Sequence, residues 1–415
     1  MSKSAISLTA VVALLIVVWA GDVFITHEIF TSRYPGANDF GGRYAGAHIF
    51  WTQGLSPYSD EATLQAQLLL HGRPLTPQEV KEGVLDVALF AYPFYMLFWL
   101  APIAVLPYDW AEAVWLATLE FALVGGVIGS ISLARWKMPP VLLAVTLVWS
   151  ILFYHSARAI LLGQVAVLIF VLNLTTLLAL RARRDVLAGV LLAISTTKPQ
   201  MAILIVPFVL FWMIARRRWR AVIAFIVVMA VLVGASFIIL PSWVGDFLKQ
   251  VIGYTSYTDI GSPVWIITRR FFPILGAPAE IGLSLALAVW LLVTWARLWR
   301  DESWTAFVWT ACFTLIITNL IAFRTATTNY VVLWIPMMWV LAAIHKQWKF
   351  AGTWMLLAIQ VVLLVGLWML FLTTLVNKYE HPIMYLPLPI GLFLIFVFGK
   401  RWLTNYLSTF EAQAA

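Results

Sequence analysis

Residues 38–48 read NDFGGRYAGAH and open the longest polar interval of an otherwise apolar chain. They follow a single apolar segment. Asp39, Arg43 and His48 stand near one another among small residues, which let backbone or substrate come close. Polar groups gathered at one place on a membrane protein usually mark where chemistry or transport happens. A second interpretation of the sequence is equally open: Asp39 merely caps a helix that begins at Phe40.

The composition around this stretch is that of a membrane protein. The chain has 415 residues, of which 62% are hydrophobic and 11% charged, and its mean hydropathy is +0.91. Soluble globular proteins do not have this balance, and many apolar runs reach membrane-spanning length. We therefore predict an all-α polytopic membrane protein. The net charge of +8 does not indicate nucleic-acid binding, because the basic residues form short runs between apolar segments, as cytoplasmic loops do.

Several kinds of site are not supported by the sequence. Cys312 is the single cysteine, so an intrachain disulfide is excluded. No Cys/His metal spacing and no phosphate-binding glycine loop is present. We predict no cofactor and no metal site, although Asp and Glu in the outer loops leave a divalent metal open. Since there is no Rossmann-like soluble domain, any sugar donor should be lipid-borne.

The basic runs predict the topology. Lys3 should hold the start of a first span at residues 5–25 inside, so residues 38–48 emerge outside. A first outer loop at residues 27–88 should contain a juxtamembrane helix at residues 59–70, and a second outer loop should cover residues 241–280. The basic segments predicted inside are residues 181–184, 216–220, 297–302, 345–349 and 400–401. We expect one membrane domain over residues 1–415, with roughly 11–13 crossing or re-entrant helices and a long first outer loop.

One apolar segment, residues 90–106, is broken by Pro93 and Pro102. Counting spans back from residues 181–184 gives a parity conflict at this segment. Either it dips into the membrane and returns, or it crosses and Arg135 and Lys137 violate the positive-inside rule. Both readings stay open.

Lys198 is the first candidate for binding a phosphate. It stands before Pro199 between two short apolar helices, on the same side as Asp39, and a charge inside a bilayer costs about 2.5–3.5 kcal/mol. An ammonium there suits a phosphate; the alternative is a lysine that snorkels to the surface. Arg158 and Gln164, at the outer ends of adjoining spans, either contact a head group or anchor the interface. Arg324 and residues 325–330 reach the same outer surface. For these residues a binding role and a purely structural role are equally open.

Five segments in order resemble the motifs of glycosyltransferase family 87. Two motifs each cover two stretches: residues 39–46 with 54–58 resemble DF..YY.A...L..G..PY, and residues 90–94 with 101–107 resemble F.YPP....L..P...LP. The other three each cover one stretch: residues 163–165 resemble GQ.N, residues 185–199 resemble D..AG...G.....KP, and residues 328–336 resemble H.Y...L.P. Two departures point to an altered substrate. Phe94 replaces the second proline of the YPP motif, and Asn329 stands where a histidine is common.

The resemblance implies a GT-C fold and a polyprenyl-phosphate sugar donor used outside the cytoplasm. An aspartate of the first outer loop serves as the base in this family, and Asp39 matches it. The implied partners are the donor, a lipid-linked or glycan acceptor and membrane lipids, without nucleic acid. The implied location is a bacterial-type plasma membrane with the active site on the extracytoplasmic side.

We therefore predict the transfer of a hexose, mannose or a related sugar, to an acceptor hydroxyl. Asp39 is the predicted general base, and Lys198, Arg158 and Gln164 are the predicted contacts of the donor phosphate. Further predicted substrate contacts are Arg43, Tyr44, His48, Tyr92, Arg324, Asn329 and Tyr330. One carboxylate suffices for an inverting displacement, unlike the pair used by glycosidases. A lipid or glycolipid transporter is the competing class, because it shares many spans and broken helices; the sequence shows no convincing internal repeat.

Overall fold

The structure is a computed structural model of the chain. It describes residues 3–34, 36, 38–82, 85, 87–257, 261–323, 325–375 and 380–411. Within these ranges all regular elements are helical. The prediction of an all-α protein is thereby confirmed.

Twenty α-helices form the fold within the described ranges. In the first half they are α1 (Lys3–Thr26), α2 (Asn38–Gln53), α3 (Asp60–His71), α4 (Pro77–Glu82), α5 (Leu97–Ala104), α6 (Tyr108–Leu133), α7 (Pro140–Leu152), α8 (Tyr154–Leu161), α9 (Ala166–Arg181) and α10 (Asp185–Ser195). In the second half they are α11 (Pro199–Ala202), α12 (Ile205–Ala215), α13 (Trp219–Ile239), α14 (Trp243–Tyr257), α15 (Pro263–Trp265), α16 (Gly276–Leu298), α17 (Trp304–Ile321), α18 (Trp334–Thr374), α19 (Pro387–Phe398) and α20 (Lys400–Glu411).

Seven helical segments in the described ranges are long and apolar enough to cross a membrane, or nine if each of two bent pairs counts as one span. The bent pairs are α7 with α8, at 54°, and Pro382–Phe398 with Lys400–Phe410, at 74°. Four shorter apolar helices accompany them, namely Phe94–Ala104, α9, α10 and α12. The protein is therefore polytopic, as the hydropathy predicts.

The chain falls into two compact units. The first comprises Met1–Ala122, Ala159–Val165 and Ala235–Thr258, and the second comprises Leu123–Arg158, Ala166–Gly234 and Asp259–Ala415. The expectation of a single membrane domain stays a prediction.

In the first unit, the proline-containing apolar segment forms only a short helix. Phe94–Met96 is a 3-10 turn that leads into α5, and Pro102 lies inside α5. Leu100 and Ala104 are fully buried. Helix rises 1.5 Å per residue, so this segment spans only about half of a hydrocarbon core about 30 Å thick. The short length favours the reading in which residues 90–106 dip in and return.

The helix α3 covers the segment predicted as a juxtamembrane helix, and its place at the membrane surface stays a prediction. Ser59 caps it by accepting a hydrogen bond from the Ala62 backbone N–H at 3.2 Å, and Gly72 ends it in the left-handed region at φ 70°. Ala62 and Ala66 face the protein, whereas Leu64 and Leu68 are exposed. Exposed leucines on one side of a short helix are expected of an element that lies along the membrane surface.

In the second unit, α10 packs closely against α13 at a glycine. A Cβ at Gly189 would overlap the carbonyl oxygen of Ala221 and would lie 2.9 Å from the Ala224 Cβ. Only glycine permits this approach. The approach brings the apolar faces of two helices together directly after the basic turn that ends α9.

The run of α18 bends sharply back on itself at a corner formed by residues 345–352. The position of a Cβ at Gly352 lies 3.0 Å from the Cα of His345, although residues seven apart in a straight helix are separated by about 10 Å along its axis. The side chains of His345 and Thr353 meet there at 3.1 Å. Two membrane-spanning segments, Thr327–Trp348 and Phe350–Thr374, therefore meet without a loop. The corner coincides with the turn predicted at residues 345–349.

Candidate active site

Asp39 lies in the first turn of α2, since the helix begins at Asn38 rather than at Phe40. Its Oδ2 accepts a hydrogen bond from Gln164 Nε2 at 2.5 Å. Its Oδ1 lies 3.7 Å from an Arg43 guanidinium nitrogen one helical turn later, and the carboxylate side chain is 22% exposed. No described bond joins the carboxylate to a backbone amide of α2, so helix capping alone does not account for its position.

Gln164 is placed by the way in which α8 ends. Gly163 adopts φ 66°, and the backbone N–H groups of Gly163 and Gln164 donate to the carbonyls of Ile160 and Ala159 at 2.7 and 2.8 Å. This is a Schellman turn, in which a left-handed glycine closes the helix. The Asp39 backbone N–H donates to the Leu162 carbonyl in the same turn at 3.1 Å. This turn thus holds the backbone of Asp39 through the Leu162 carbonyl and its side chain through Gln164.

Arg43 is held by Tyr92. The guanidinium carbon lies 4.7 Å from the Tyr92 ring centroid, and a guanidinium N–H donates to the Tyr92 hydroxyl oxygen at 3.1 Å. Burial raises the pKa of the Tyr92 phenol, an effect that the Arg43 charge opposes in smaller part. The Tyr92 carbonyl in turn accepts from the Tyr58 hydroxyl at 2.8 Å. Motif segments far apart in sequence therefore meet around one aspartate.

Close packing fixes α2 against its neighbours. Phe40 stacks on Trp115 of α6 with ring centroids 5.1 Å apart, and the Trp115 indole N–H donates to the Gly163 carbonyl at 2.8 Å. A Cβ at Gly42 would lie 2.8 Å from the Ala88 carbonyl oxygen. The small residues of the stretch thus admit backbone from the segment that leads to Tyr92.

Tyr44 and His48 make contacts of a structural kind. The Tyr44 hydroxyl donates to the Leu106 carbonyl at 2.6 Å, and His48 Nδ1 lies 2.7 Å from the Ala104 carbonyl oxygen. A carbonyl only accepts, so Nδ1 carries the hydrogen. Both side chains satisfy carbonyls at the end of α5, where helical partners are missing. Burial raises the pKa of Tyr44. Their role in substrate binding stays a prediction.

Lys198 belongs to the second unit and stands at the tip between α10 and α11. Its backbone is extended before Pro199, at φ −115° and ψ 87°, as residues before proline prefer. The side chain is 2% exposed, and Nζ donates to Asn329 Oδ1 at 2.6 Å. A snorkelling lysine would keep its ammonium in water, whereas this ammonium is buried.

Asn329 lies on the 3-10 segment Thr327–Leu333 and connects Lys198 to that segment. Because an ammonium only donates, the amide oxygen faces it, and the amide nitrogen donates to Thr325 Oγ1 at 3.1 Å. The next residue, Tyr330, donates its hydroxyl hydrogen to the Tyr385 carbonyl at 2.9 Å. The structure thus brings together Lys198 and Asn329, two residues that the sequence marked separately.

Arg158 has a different partner in this unit. Its guanidinium lies 4.0 Å from a Glu380 carboxylate oxygen and 5.2 Å from the Phe371 ring centroid. Glu380 also accepts from the Tyr154 hydroxyl at 2.6 Å and from the Thr327 hydroxyl at 2.8 Å. Burial raises the pKa of Glu380, while Arg158 and these hydrogen bonds oppose the rise in smaller part.

A comparison with models of protein families matches the one described as glycosyltransferase family 87 over residues 90–319, more than half of the chain. The chain belongs to glycosyltransferase family 87. The resemblance drawn from the motifs is confirmed, and the protein is a membrane glycosyltransferase. Comparison with curated proteins and with solved structures found no significant match.

The matched range contains four of the candidate residues of this glycosyltransferase, namely Tyr92, Arg158, Gln164 and Lys198. Asp39 precedes the range and Asn329 follows it. These two residues are supported by the short motifs and by their own contacts, such as the bond between Asp39 and Gln164.

The Asp39 group has the features of a proton acceptor. A carboxylate offers about four lone-pair sites, and the contacts with Gln164 and Arg43 engage only part of them. The side chain is partly exposed, so an acceptor hydroxyl can approach it. The two partners hold the carboxylate in one orientation, which a general base needs because it must lie within about 3 Å of the proton it takes.

Two acids near the candidate residues were not singled out from the sequence of this glycosyltransferase. Glu380 lies in none of the motif segments. Glu112 on α6 is fully buried and accepts from the Gly36 backbone N–H at 3.1 Å, just before the Asp39 stretch. A lone acid in an apolar helix is the signal that would have marked Glu112.

Two further observations concern Arg324 and metal binding. Arg324 lies outside the described residues. Within the described ranges, no group of three or more His, Cys, Asp or Glu side chains is arranged to hold a metal ion.

Proposed function

We propose that this glycosyltransferase moves a hexose, mannose or a related sugar, from a polyprenyl-phosphate donor to an acceptor hydroxyl outside the cytoplasm, with inversion. The observation that supports this best is the partly exposed carboxylate of Asp39, held by Gln164 and Arg43. A lipid-borne donor suits a chain whose described regular elements are all helical and which is rich in candidate membrane spans. Family membership favours an enzyme over the transporter alternative.

The proposed step is a single displacement. The acceptor oxygen attacks the anomeric carbon of the donor sugar while Asp39 takes the hydroxyl proton. The bond between that carbon and the phosphate oxygen breaks, and polyprenyl phosphate leaves with the electron pair. Because the phosphate leaves as a stable anion, no second carboxyl group is needed to protonate it.

Lys198 is proposed to bind the donor phosphate. The contacts that support this lie within the second unit. It is a cation buried to 2% exposure, and Asn329 fixes the direction of its ammonium without adding negative charge. In poorly hydrated surroundings Coulomb attraction is weakly screened. Stabilising the charge that develops on a leaving group lowers the barrier. Arg158 would have to leave Glu380 in part to share this role.

Asp39→Asn tests the base. The change keeps the shape but removes the proton acceptor, so turnover should fall by about 10² or more. The measurement is release of labelled polyprenyl phosphate from a polyprenyl-phosphate mannose by the reconstituted full chain, with thermal stability as a check on folding. Asp60→Asn, an exposed acid in the same loop, is the matched control. Near-normal turnover in Asp39→Asn would remove Asp39 from the mechanism.

A second assay tests the donor class. The wild-type chain should release polyprenyl phosphate from the lipid donor and should leave a water-soluble nucleotide sugar unchanged. A transporter would move the intact lipid and release nothing. Turnover with the nucleotide sugar alone would overturn the proposed donor.

A further inference from the structure

A polar cavity of about 350 Å³ lies within the second unit, between α16, α17 and α20. Its lining includes Arg297 from α16, Trp309 from α17, and Lys400 and Asn405 from α20. The predicted contacts of the sugar donor and acceptor do not line it. The basic segments to which Arg297 and Lys400 belong are predicted on the cytoplasmic side.

Trp309, a residue of the cavity lining, has a buried hydrogen-bond donor that lacks a partner among the described residues. Trp309 is 4% exposed, and its indole N–H meets no hydrogen-bond acceptor in the described part of the chain. A buried polar group left without a partner costs about 1–3 kcal/mol. Lys400 Nζ lies 4.2 Å from the centroid of the same indole ring. An unpaired donor beside a cation indicates a site that an anion or another strong acceptor can complete.

The other charges of the lining favour an anion. Arg297 and Lys400 supply two positive charges, and Asp301 supplies one negative charge. One Asp301 oxygen already accepts from the Ser303 backbone N–H at 2.9 Å. The first turns of α17, which Ser303 caps, and of α20 both reach the cavity. Helix N-termini carry partial positive charge and favour negative groups.

Aromatic side chains surround this end of the unit. Trp299 and Trp348 are 54% and 45% exposed, and Trp348 packs beside Trp402 with ring centroids 6.4 Å apart. Exposed tryptophans cluster at the level of lipid head groups. Basic pockets between helices at that level bind anionic head groups.

We propose that this cavity is a binding site for a phosphate-bearing anion, separate from the sugar-transfer site. Arg297 and Lys400 pair with the phosphate, and the Trp309 N–H donates to one of its oxygens. An anionic phospholipid head group of the cytoplasmic leaflet and free inorganic phosphate present the same chemistry. Binding would hold α16, α17 and α20 together, so it should appear as a gain in thermal stability.

The test titrates the purified full chain in neutral detergent with phosphatidylglycerol, phosphatidylcholine or inorganic phosphate and follows the unfolding temperature. We expect phosphatidylglycerol to raise the unfolding temperature saturably. Arg297→Gln and Lys400→Gln should each weaken the apparent affinity about fivefold. Trp309→Phe, which keeps the ring but removes the N–H, should weaken it about threefold or more. Arg300→Gln and Arg401→Gln, exposed neighbours outside the cavity lining, are the matched controls.

The outcomes separate the sources. If inorganic phosphate gives the same shift with the same pattern among the variants, the site stands and its ligand is a soluble phosphate. Equal responses of all variants to phosphatidylglycerol would show charge attraction without a site and overturn the proposal. An equal response of the wild type to phosphatidylcholine, or no response to any probe, would also overturn it. Arg297 and Lys400 are both exposed, so both variants should fold.

Discussion

The ammonium group of Lys198 is almost completely buried, and the variants that test its role remove or replace this buried charge. Lys198→Met keeps much of the length but removes the charge. If the ammonium stabilises the leaving phosphate, the rate at saturating donor should fall about tenfold or more, along with donor affinity. Lys198→Arg should restore only part of this, because a planar guanidinium does not copy a compact ammonium. Donor kinetics in reconstituted protein measure both quantities.

Lys249→Met is the control for this experiment, because Lys249 is 83% exposed. A structural role for Lys198, as an anchor for Asn329, predicts another pattern. Both Lys198 variants would then lose thermal stability while the surviving enzyme kept wild-type donor kinetics. That pattern would remove Lys198 from the donor site.

Glu380 gives a prediction about pH. Burial raises its pKa above the ordinary value of 4.5, so the folded chain binds this proton more tightly than the unfolded chain does. Stability from this group is therefore full at low pH and is lost as pH rises from 4.5 through the raised pKa. Glu380→Gln, which stays neutral, should flatten that part of the decline in unfolding temperature.

Glu79 is the control, because its pKa is shifted in the opposite direction, below its ordinary value. Its hydrogen bond from Arg73 lowers its pKa to about 2, so its contribution to stability is lost only as pH falls below its ordinary value of 4.5. Over a series of pH values rising from 4.5, Glu79→Gln should leave the slope as it is in the wild type. An unchanged slope in Glu380→Gln would mean that Glu380 is ionised in the folded chain.

Motifs identified most of the residues around Asp39 but not the contacts between them. The Gly163-Gln164 pair was recognised as a resemblance, yet nothing in its letters says that the amide bonds to Asp39. That contact depends on how α8 ends and where α2 begins. Glu380 could not be predicted because its environment is created by Tyr154 and Arg158, which lie far away in the sequence.

At the level of helices, Gly189 tests the close approach of α10 and α13. Gly189→Ala would force its methyl group onto the Ala221 carbonyl, and such overpacking costs about 1–3 kcal/mol. The unfolding temperature in detergent should therefore fall. Gly282→Ala in α16 is the control, because no atom lies within 4 Å of a Cβ there and alanine is the better helix former. A Gly189 variant as stable as the Gly282 variant would contradict this packing.

Hydropathy predicted the long helices well and the bends poorly. The span predicted at residues 5–25 corresponds to α1 (Lys3–Thr26). The 54° bend between α7 and α8 was missed. A hydropathy average cannot detect this bend, because both helices are apolar. The bend depends on how each helix packs.

For the whole molecule, side-specific labelling tests the topology. In a Cys312→Ser background, Asp60→Cys and Ala182→Cys should react with an impermeant thiol reagent from opposite sides, because the positive-inside rule places them so. Both positions are exposed. Arg401→Cys should react from the same side as Ala182→Cys. Ser59 is avoided because its hydroxyl caps α3. Labelling of positions 60 and 182 from one side would refute the predicted topology.

The corner at residues 345–352 has a consequence for how the protein is made. In the half before it, Thr327–Trp348, an 18-residue stretch has a mean hydropathy of 1.5, and 94% of that stretch is buried. In Phe350–Thr374 the corresponding stretch has a mean hydropathy of 2.6, and 17% of it is buried. The weaker segment leaves the ribosome first and has less apolar surface with which to partition into lipid. Because no loop separates the halves, the stronger segment follows at once. The two are therefore expected to enter the bilayer as a pair, with the later-synthesised half drawing in the earlier one.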